Sequence, residues 1–237
     1  MNYYFITGTS SGIGKAIVEE LLLDENNFIF GFSRTNTLIN ERFEHKKLDL
    51  SDLNDVSAYS FPDLKDVKKI ILINNAGTLG EVKHFGNLDT KTIITSFNVN
   101  LTSVALLCNS FLKSYQNLNE ERIIINISSG AAKSAYDGWA SYCATKAGLN
   151  MLTEVLEKEQ NLKAKPIKVF AIAPGVVDTY MQDTIRNTKA ENFSNIKKFH
   201  VLKNEGTLYK AKDVAQKLIS MCQNTSLISG VISRIEL

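Results

Sequence analysis

Five short apolar runs, at residues 3–7, 28–32, 70–73, 123–127 and 167–171, restrict what this chain can become more than any other feature. None alternates apolar with polar side chains, as a strand with one wet face would, so each reads as a strand covered on both sides. Between them lie stretches with helical spacing. Ile13, Ala16, Ile17 and Leu21 mark a helix over 12–23, and Ile93, Phe97, Leu101, Val104, Leu107 and Cys108 mark a long one over 89–115 with a broad apolar face. Further helices are expected over 142–160 and 212–222, with weaker strands at 47–50 and 230–237. Residues 51–67 are polar and mixed, and Pro62 limits any helix there. Strands alternating with helices predict an α/β chain: one mostly parallel, seven-stranded, doubly wound sheet with helices on both faces, in three layers. No boundary or repeat divides it, so 1–237 is expected to form one domain, with the polar, irregular stretch 178–206 as an excursion covering a substrate.

Composition narrows the function classes. The chain has 237 residues, 44% of them hydrophobic and 22% charged, which suits one α/β domain with a large core. A formal net charge of +2, with lysines scattered rather than clustered, points to neither a nucleic acid nor a membrane surface as partner. No apolar segment reads as reaching the roughly 18 residues of a membrane span, and the first residues lack the basic and apolar regions of a secretory signal. Cys108, Cys143 and Cys222 form no C-x-x-C pair, and His45, His84 and His200 are dispersed, so neither a disulfide framework nor a metal site is expected. A reducing, cytoplasmic setting follows.

The first strand runs into Thr7-Gly8-Thr9-Ser10-Ser11-Gly12-Ile13-Gly14, which opens the first helix. Small residues there let backbone approach a pyrophosphate, and the helix N-terminus offers unpaired N–H groups and the positive end of its dipole. The spacing is Gly-x-x-x-Gly-x-Gly and no Gly-Lys-Ser/Thr follows, so a dinucleotide is favoured over a nucleoside triphosphate. The second strand ends in Ser33 and Arg34, where an acidic side chain would bind the ribose hydroxyls of NAD. A guanidinium grips a 2′-phosphate instead, so NADP is the expected cofactor. Asp49, followed by Leu50 after the third strand, is placed to accept from the adenine amino group. Asn75, Ala76 and Gly77, after the fourth strand, are placed to border the adenosine side.

The chemistry concentrates between residues 124 and 148. Tyr142 and Lys146 are four apart and share one helix face. A neighbouring ammonium favours phenolate and draws a tyrosine pKa down from about 10. Ser129, at the end of the strand IIINIS, is placed to hydrogen-bond a substrate oxygen. A Tyr-x-x-x-Lys pair alone arises often by chance, and its context is what gives it weight. Asn100 lies mid-helix, where a buried amide satisfies its neighbours or bends the helix.

The motifs TGTSSGIG, NNAG, NVN, the serine at the strand end, YCATK and PGVVDT stand in the order and spacing of the short-chain dehydrogenase/reductase family, which the whole chain resembles. That resemblance implies a Rossmann fold and a catalytic tetrad on Asn100, Ser129, Tyr142 and Lys146, with Ser128 the less suited serine. Within the family, SSGAAKSAYDGWASYCATKAG and PGVVDTYMQ look most like sepiapterin reductases and the bacterial reductases that form (S)-benzoin from benzil. By the same resemblance Ile6, Asn75, Tyr142, Lys146, Val177 and Thr179 border NADP, and Pro174, Gly175 and Val176 form the floor under its nicotinamide. Hydride passes to a carbonyl carbon, Tyr142 gives the proton, Ser129 holds the carbonyl oxygen, and Asn100 anchors a water that replenishes the proton.

Trp139, with Tyr136, is placed to wall the pocket for an aryl ketone, or else to pack the loop onto the domain; Met181 and Gln182 begin the covering segment. Sepiapterin reductases hold the pterin with an aspartate near the carboxyl end, where this chain has Arg234, which cannot accept those hydrogen bonds. A ketone or benzil-like 1,2-diketone is the expected substrate, with a pterin, or a noncatalytic NADP sensor on the same fold, as alternatives. A homodimer or homotetramer is expected, through the helices at 89–115 and 142–160.

Overall fold

The protein, described over residues 1–237 by a computed structural model, is built on one seven-stranded sheet. The strands are β1 (Asn2–Thr7), β2 (Asn27–Ser33), β3 (Phe43–Lys47), β4 (Lys69–Asn74), β5 (Glu121–Ile127), β6 (Lys168–Ala173) and β7 (Ile232–Arg234). They lie in the order β3-β2-β1-β4-β5-β6-β7, and every neighbouring pair is parallel. The chain winds outward from β1 to β3, then crosses back to β4 and winds the other way. That reversal beside β1 opens a crevice at the carboxyl ends of the strands, where ligands bind in such sheets.

Eight helices complete the fold: α1 (Gly12–Leu21), α2 (Leu53–Ala58), α3 (Thr90–Phe97), α4 (Ser103–Tyr115), α5 (Ala140–Gln160), α6 (Tyr180–Arg186), α7 (Ile196–Asn204) and α8 (Ala211–Gln223). Ile17, Val18 and Leu21 of α1 and Val214 and Leu218 of α8 fill one core against Tyr4, Ile6 and Ile71 of the sheet. Val104, Leu107 and Phe111 of α4, with Leu149 of α5, fill the other against Phe5, Phe30 and Leu72. Phe5 stacks on Phe30 at 4.7 Å and meets Phe61 edge-on at 4.9 Å, which fixes the second layer by shape as well as by area. A smaller apolar cluster around Trp139, Phe193 and Phe199 sits under α6 and α7.

Several elements differ from expectation. The third strand lies at Phe43–Lys47 rather than 47–50, because Phe43 packs over Gly31, where a Cβ would come within 2.4 Å of its ring. Leu48 and Leu50 are apolar because the chain dives under the other sheet face, in the second core. The long helix over 89–115 is interrupted by a π-helical turn at Asn98–Thr102, closed by a bond from Ser103 N–H to the Asn98 carbonyl. The stretch Thr90–Tyr115 also reaches the length and mean hydropathy, 1.2, that a membrane span needs, contrary to expectation; here its α4 face packs on the sheet. Residues 178–206 are helical where an irregular path was expected, since two short helices anchored by Ile185 and Phe199 give too few turns for a clear period. The last strand is confined to Ile232–Arg234, the part that pairs with Ala171–Ala173 of β6.

Candidate active site

The crevice begins at the turn between β1 and α1. Gly8 and Gly12 adopt φ of +75° and +57°, in the left-handed region that favours glycine. At Gly14 a Cβ would sit 2.3 Å from the Gly8 carbonyl oxygen and 2.5 Å from Asn75 Nδ2, so only glycine lets α1 close onto the turn. Ser11 caps α1 by backbone geometry, but its hydroxyl bonds none of the first N–H groups, which leaves them for an anion; Ser10 stands beside it in the turn. Asn75 is bolted to this turn: its Nδ2 donates to the Thr7 carbonyl at 2.9 Å, and Thr7 Oγ1 accepts from Asn75 N and Ala76 N at 3.0 Å. Thr7, at the start of the turn but given no role from the sequence, therefore couples the ends of β1 and β4.

At the end of β2 the Ser33 hydroxyl is already committed. It donates to the Thr35 carbonyl at 2.8 Å and lies 3.0 Å from His45 Nε2. Arg34 next to it is exposed and makes no hydrogen bond or ion pair, so its guanidinium is the group free to meet a ligand there. Asp49 accepts from Ser51 N–H and Oγ at 2.9 and 2.8 Å, and these bonds, with Arg34 nearby, hold its carboxyl below the usual range. Ile6 and Leu50 are core side chains, not brought to the crevice.

Ser129, Tyr142 and Lys146 face one cavity of about 720 Å³ that also reaches Ile13, Asn75, Gly77, Pro174, Gly175, Val177, Thr179 and Met181. Ser129, two residues past the end of β5, accepts from Ala131 N–H at 3.2 Å, capping a one-turn helix and leaving its own proton to give. Ser128 is buried, and its hydroxyl is spent on Asn150 Oδ1 at 2.6 Å, which separates the two serines physically. Tyr142 and Lys146 are one turn apart on α5, with Lys146 Nζ 5.8 Å from the phenol ring centroid. The Lys146 ammonium donates to the Ile127 carbonyl at 2.7 Å, and burial lowers its pKa from 10.5 to about 8.

The expected depression of the phenol does not appear. Burial pushes the Tyr142 pKa up, and the Ser129 hydroxyl is the neighbour that favours the phenolate. Lys146 is itself desolvated and turned toward Ile127, so its charge does not offset the burial of the ring. A phenol held protonated is a proton donor.

Asn100 occupies the π-helical turn, fully buried. Its Oδ1 accepts from Thr78 N–H at 2.8 Å, and its Nδ2 donates to the Thr78 carbonyl at 2.8 Å and to Thr145 Oγ1 at 3.2 Å. The side chain is therefore used up in clamping the loop following Gly77 to α5, and it has no hydrogen left for a water. Gly77 lies between: a Cβ there would be 3.4 Å from Asn100 Oδ1 and 3.6 Å from Lys146 Nζ.

Beside Tyr142 the cavity wall is aromatic, with Trp139 edge-on to the phenol ring at 6.0 Å. Trp139 stacks on Phe193 at 4.8 Å and meets Tyr136 at 4.9 Å and Phe199 at 5.5 Å, so it both packs the loop and lines the cavity. Asp137 ties this loop to the connection before α7, accepting from Ser194 N–H and Oγ at 2.7 and 2.8 Å. Gly175, at φ +81°, leaves no room for a Cβ beside the Tyr209 ring, and Tyr209 N–H bonds the Val176 carbonyl at 2.9 Å. Tyr209 and Thr78 hold this site in place, yet no local motif marks them in the sequence, whereas Thr145 lies within YCATK but was given no role there.

Comparisons with known proteins agree with this geometry. The sequence matches the short chain dehydrogenase family over residues 2–190. It is 36% identical to the benzil reductase ((S)-benzoin forming) of Bacillus cereus across 100% of both chains, and 33% identical to that of Bacillus subtilis across 94% of each. Sepiapterin reductase of Bos taurus is 37% identical over 71% of this chain and 62% of its own. Among solved structures, a Saccharomyces cerevisiae short-chain dehydrogenase/reductase superposes with a TM-score of 0.84 at 24% identity, covering 99% of this chain and 96% of that one. A 4-hydroxyisoleucine dehydrogenase complexed with NADH gives 0.82 at 22% identity, over 100% of this chain and 97% of that one.

Proposed function

The chain belongs to the short-chain dehydrogenase family, and on that premise we propose that it is an NADPH-dependent carbonyl reductase for ketones and benzil-like 1,2-diketones. The observation that carries this reading is the convergence of Ser129, Tyr142 and Lys146 on one cavity, where the Trp139 ring, edge-on to Tyr142 at 6.0 Å, adds an aromatic wall beside them. The likeness to benzil reductases supports the aryl substrate.

The glycine-rich turn suits a pyrophosphate, since its small residues and the uncapped α1 terminus offer backbone N–H groups at close range. Unpaired Arg34 suits a 2′-phosphate. Asn75, Gly77, Val177 and Thr179 would border the cofactor, and Pro174 and Gly175 would lie under its nicotinamide. A reduced nicotinamide supplies the hydride. Ser129 donates to the carbonyl oxygen and orients it, and Tyr142, held protonated by burial, passes its proton to that oxygen as charge develops. Lys146, mostly protonated at neutral pH with a pKa of about 8, is held by the Ile127 carbonyl with its Nζ 5.8 Å from the phenol ring centroid, and would have to turn from that carbonyl to steady the phenolate that remains. Asn100 acts through the backbone, keeping Gly77 and Thr78 where Lys146 needs them.

In this reading α6 and α7 cover the substrate, and 1–237 works as one dinucleotide-binding domain. Exposed Ile94 and Phe97 of α3 and Met151 and Val155 of α5 suit a homodimer or homotetramer interface. Three free thiols suit a reducing cytoplasm.

The test is consumption of NADPH, with NADH in parallel, against benzil, a simple aryl ketone and a pterin, for the native protein and Tyr142→Phe. Benzil turnover that falls by about 10² to 10⁴ in the variant supports the assignment. A pterin turned over in place of benzil would move the reading to a pterin reductase, and tight NADPH binding with no turnover would move it to a sensor.

A further inference from the structure

The cavity has a charge pattern that a benzil-like diketone does not use. Its rim carries Lys133 from the loop after Ser129, Lys198 from α7 and Arg234 from β7, and no aspartate or glutamate lines it anywhere. The side-chain ammonium groups of Lys133 and Lys198 are exposed and make no ion pair or hydrogen bond. Arg234 has only Glu236, at 3.6 Å with both side chains largely exposed, a geometry that solvent screens. Three separate elements thus bring like charges to one opening, and Lys146 adds a fourth inside.

The cofactor does not account for them. Its phosphate sites are the β1–α1 turn and Arg34 after β2, whereas Arg234 is on β7, the opposite edge of the sheet, with β4, β5 and β6 intervening. Lys198 directly precedes Phe199, which packs on Trp139, so one turn of α7 offers both an aromatic contact and a cation. A ligand that satisfies the whole cavity has an aryl group against Trp139, a carbonyl at Ser129 and Tyr142, and a negative charge toward the rim.

Resting on the carbonyl-reductase reading, we propose that the preferred substrates of this site are anionic carbonyl compounds, specifically aryl 2-oxo acids. The carboxylate meets the Lys133, Lys198 and Arg234 rim while C2 accepts hydride from NADPH. The C=O π bond breaks, a C–H bond forms, Tyr142 delivers the proton to oxygen, and the products are a 2-hydroxy acid and NADP⁺. The carboxylate itself is unchanged. Cations focused at a cavity mouth of low-dielectric walls raise both capture rate and local concentration of an anion, by about 10- to 10³-fold in favourable cases.

Benzoylformate and its methyl ester share every atom of the reacting ketone and differ in the charge, so their ratio of kcat/KM isolates the rim. With saturating NADPH, the acid should exceed the ester by about tenfold or more at low salt, and the ratio should collapse toward one in 0.5 M NaCl, where the screening length is only a few ångströms. The combined change Lys133→Gln, Lys198→Gln and Arg234→Gln should cut the low-salt ratio by about tenfold. An acid-to-ester ratio near one in the native protein, or one untouched by the three changes, overturns the proposal while leaving the reductase reading intact. If neither compound nor benzil is reduced, the reductase reading fails; quenching of the sole tryptophan, Trp139, by each compound with NADP⁺ present then decides the anion site. Salt-sensitive quenching by the acid that is lost in the triple variant supports it, and equal quenching by acid and ester overturns it.

Discussion

Lys146 should weaken the cofactor-free fold, and replacing it with methionine should show by how much. Burial lowers its pKa from 10.5 to about 8. At about 1.4 kcal/mol per pH unit, holding this lysine charged in the fold costs about 3 kcal/mol at pH 7. The folded value lies below the unfolded one, so the penalty is fully present under pH 8 and is relieved as pH rises from 8 toward 10.5, where the unfolded chain keeps a proton that the folded chain has lost. At pH 9.5 it should have fallen to about 1.4 kcal/mol. Lys146→Met removes the charge and also the 2.7 Å bond from the ammonium to the Ile127 carbonyl, a loss of about 2 kcal/mol for a charged donor. The variant should therefore be more stable by about 1 kcal/mol at pH 7 and slightly less stable than native at pH 9.5. Urea unfolding of both proteins without cofactor reads this directly. Taking their difference cancels Tyr4, Tyr59, Tyr115, Cys108 and Cys222, whose buried groups are pushed up into or beyond the same range. A gap that stays constant between the two pH values would refute the argument, because the lysine would then not be titrating in this window.

Three further outcomes follow from the same geometry. Arg34→Ala should raise the Kd of NADPH by about 10- to 100-fold, the worth of charge-assisted bonds to one phosphate, and leave NADH alone; equal weakening of both in a titration followed by Trp139 fluorescence would detach Arg34 from cofactor choice. Gly14→Ala forces a Cβ to within 2.3 Å of the Gly8 carbonyl, so urea unfolding should show a loss of about 1–3 kcal/mol and NADPH binding should weaken with it. Asn100→Ala removes the partner of the partly buried Thr78 N–H and Thr78 carbonyl, while Thr145 Oγ1 keeps its bond to the Tyr142 carbonyl, which should lower stability by about 1–3 kcal/mol by the same assay and reduce turnover.

The sheet was legible because burial on both faces leaves no ambiguity of period: the runs at 3–7, 70–73 and 123–127 fall within β1, β4 and β5. β3 was misplaced because an edge strand is only half covered, so its one buried anchor, Phe43, looked less like a strand than Leu48 and Leu50, which are buried in a loop. The π-helical turn at Asn98–Thr102 is invisible to spacing, since one added residue per turn barely moves an apolar face as broad as that of 89–115.

The site separates in the same way. Ser129, Tyr142 and Lys146 share one stretch of chain, and so their meeting was readable from helix geometry. The electrostatics were not. That Tyr142 would be raised rather than lowered depends on the depth to which α5 is buried and on the Ile127 carbonyl that claims the Lys146 ammonium, a contact between residues 19 apart in sequence. The clamp from Asn100 to Thr78 spans 22 residues, and the rim of Lys133, Lys198 and Arg234 joins three elements spread over a hundred. Charges scattered along a chain read as a solvated surface until the sheet order is known, and here that order gathers three of them at one mouth. It follows that composition, with its net charge of +2, was silent on the charge at this opening, which the fold sets by bringing Lys133, Lys198 and Arg234 to one cavity.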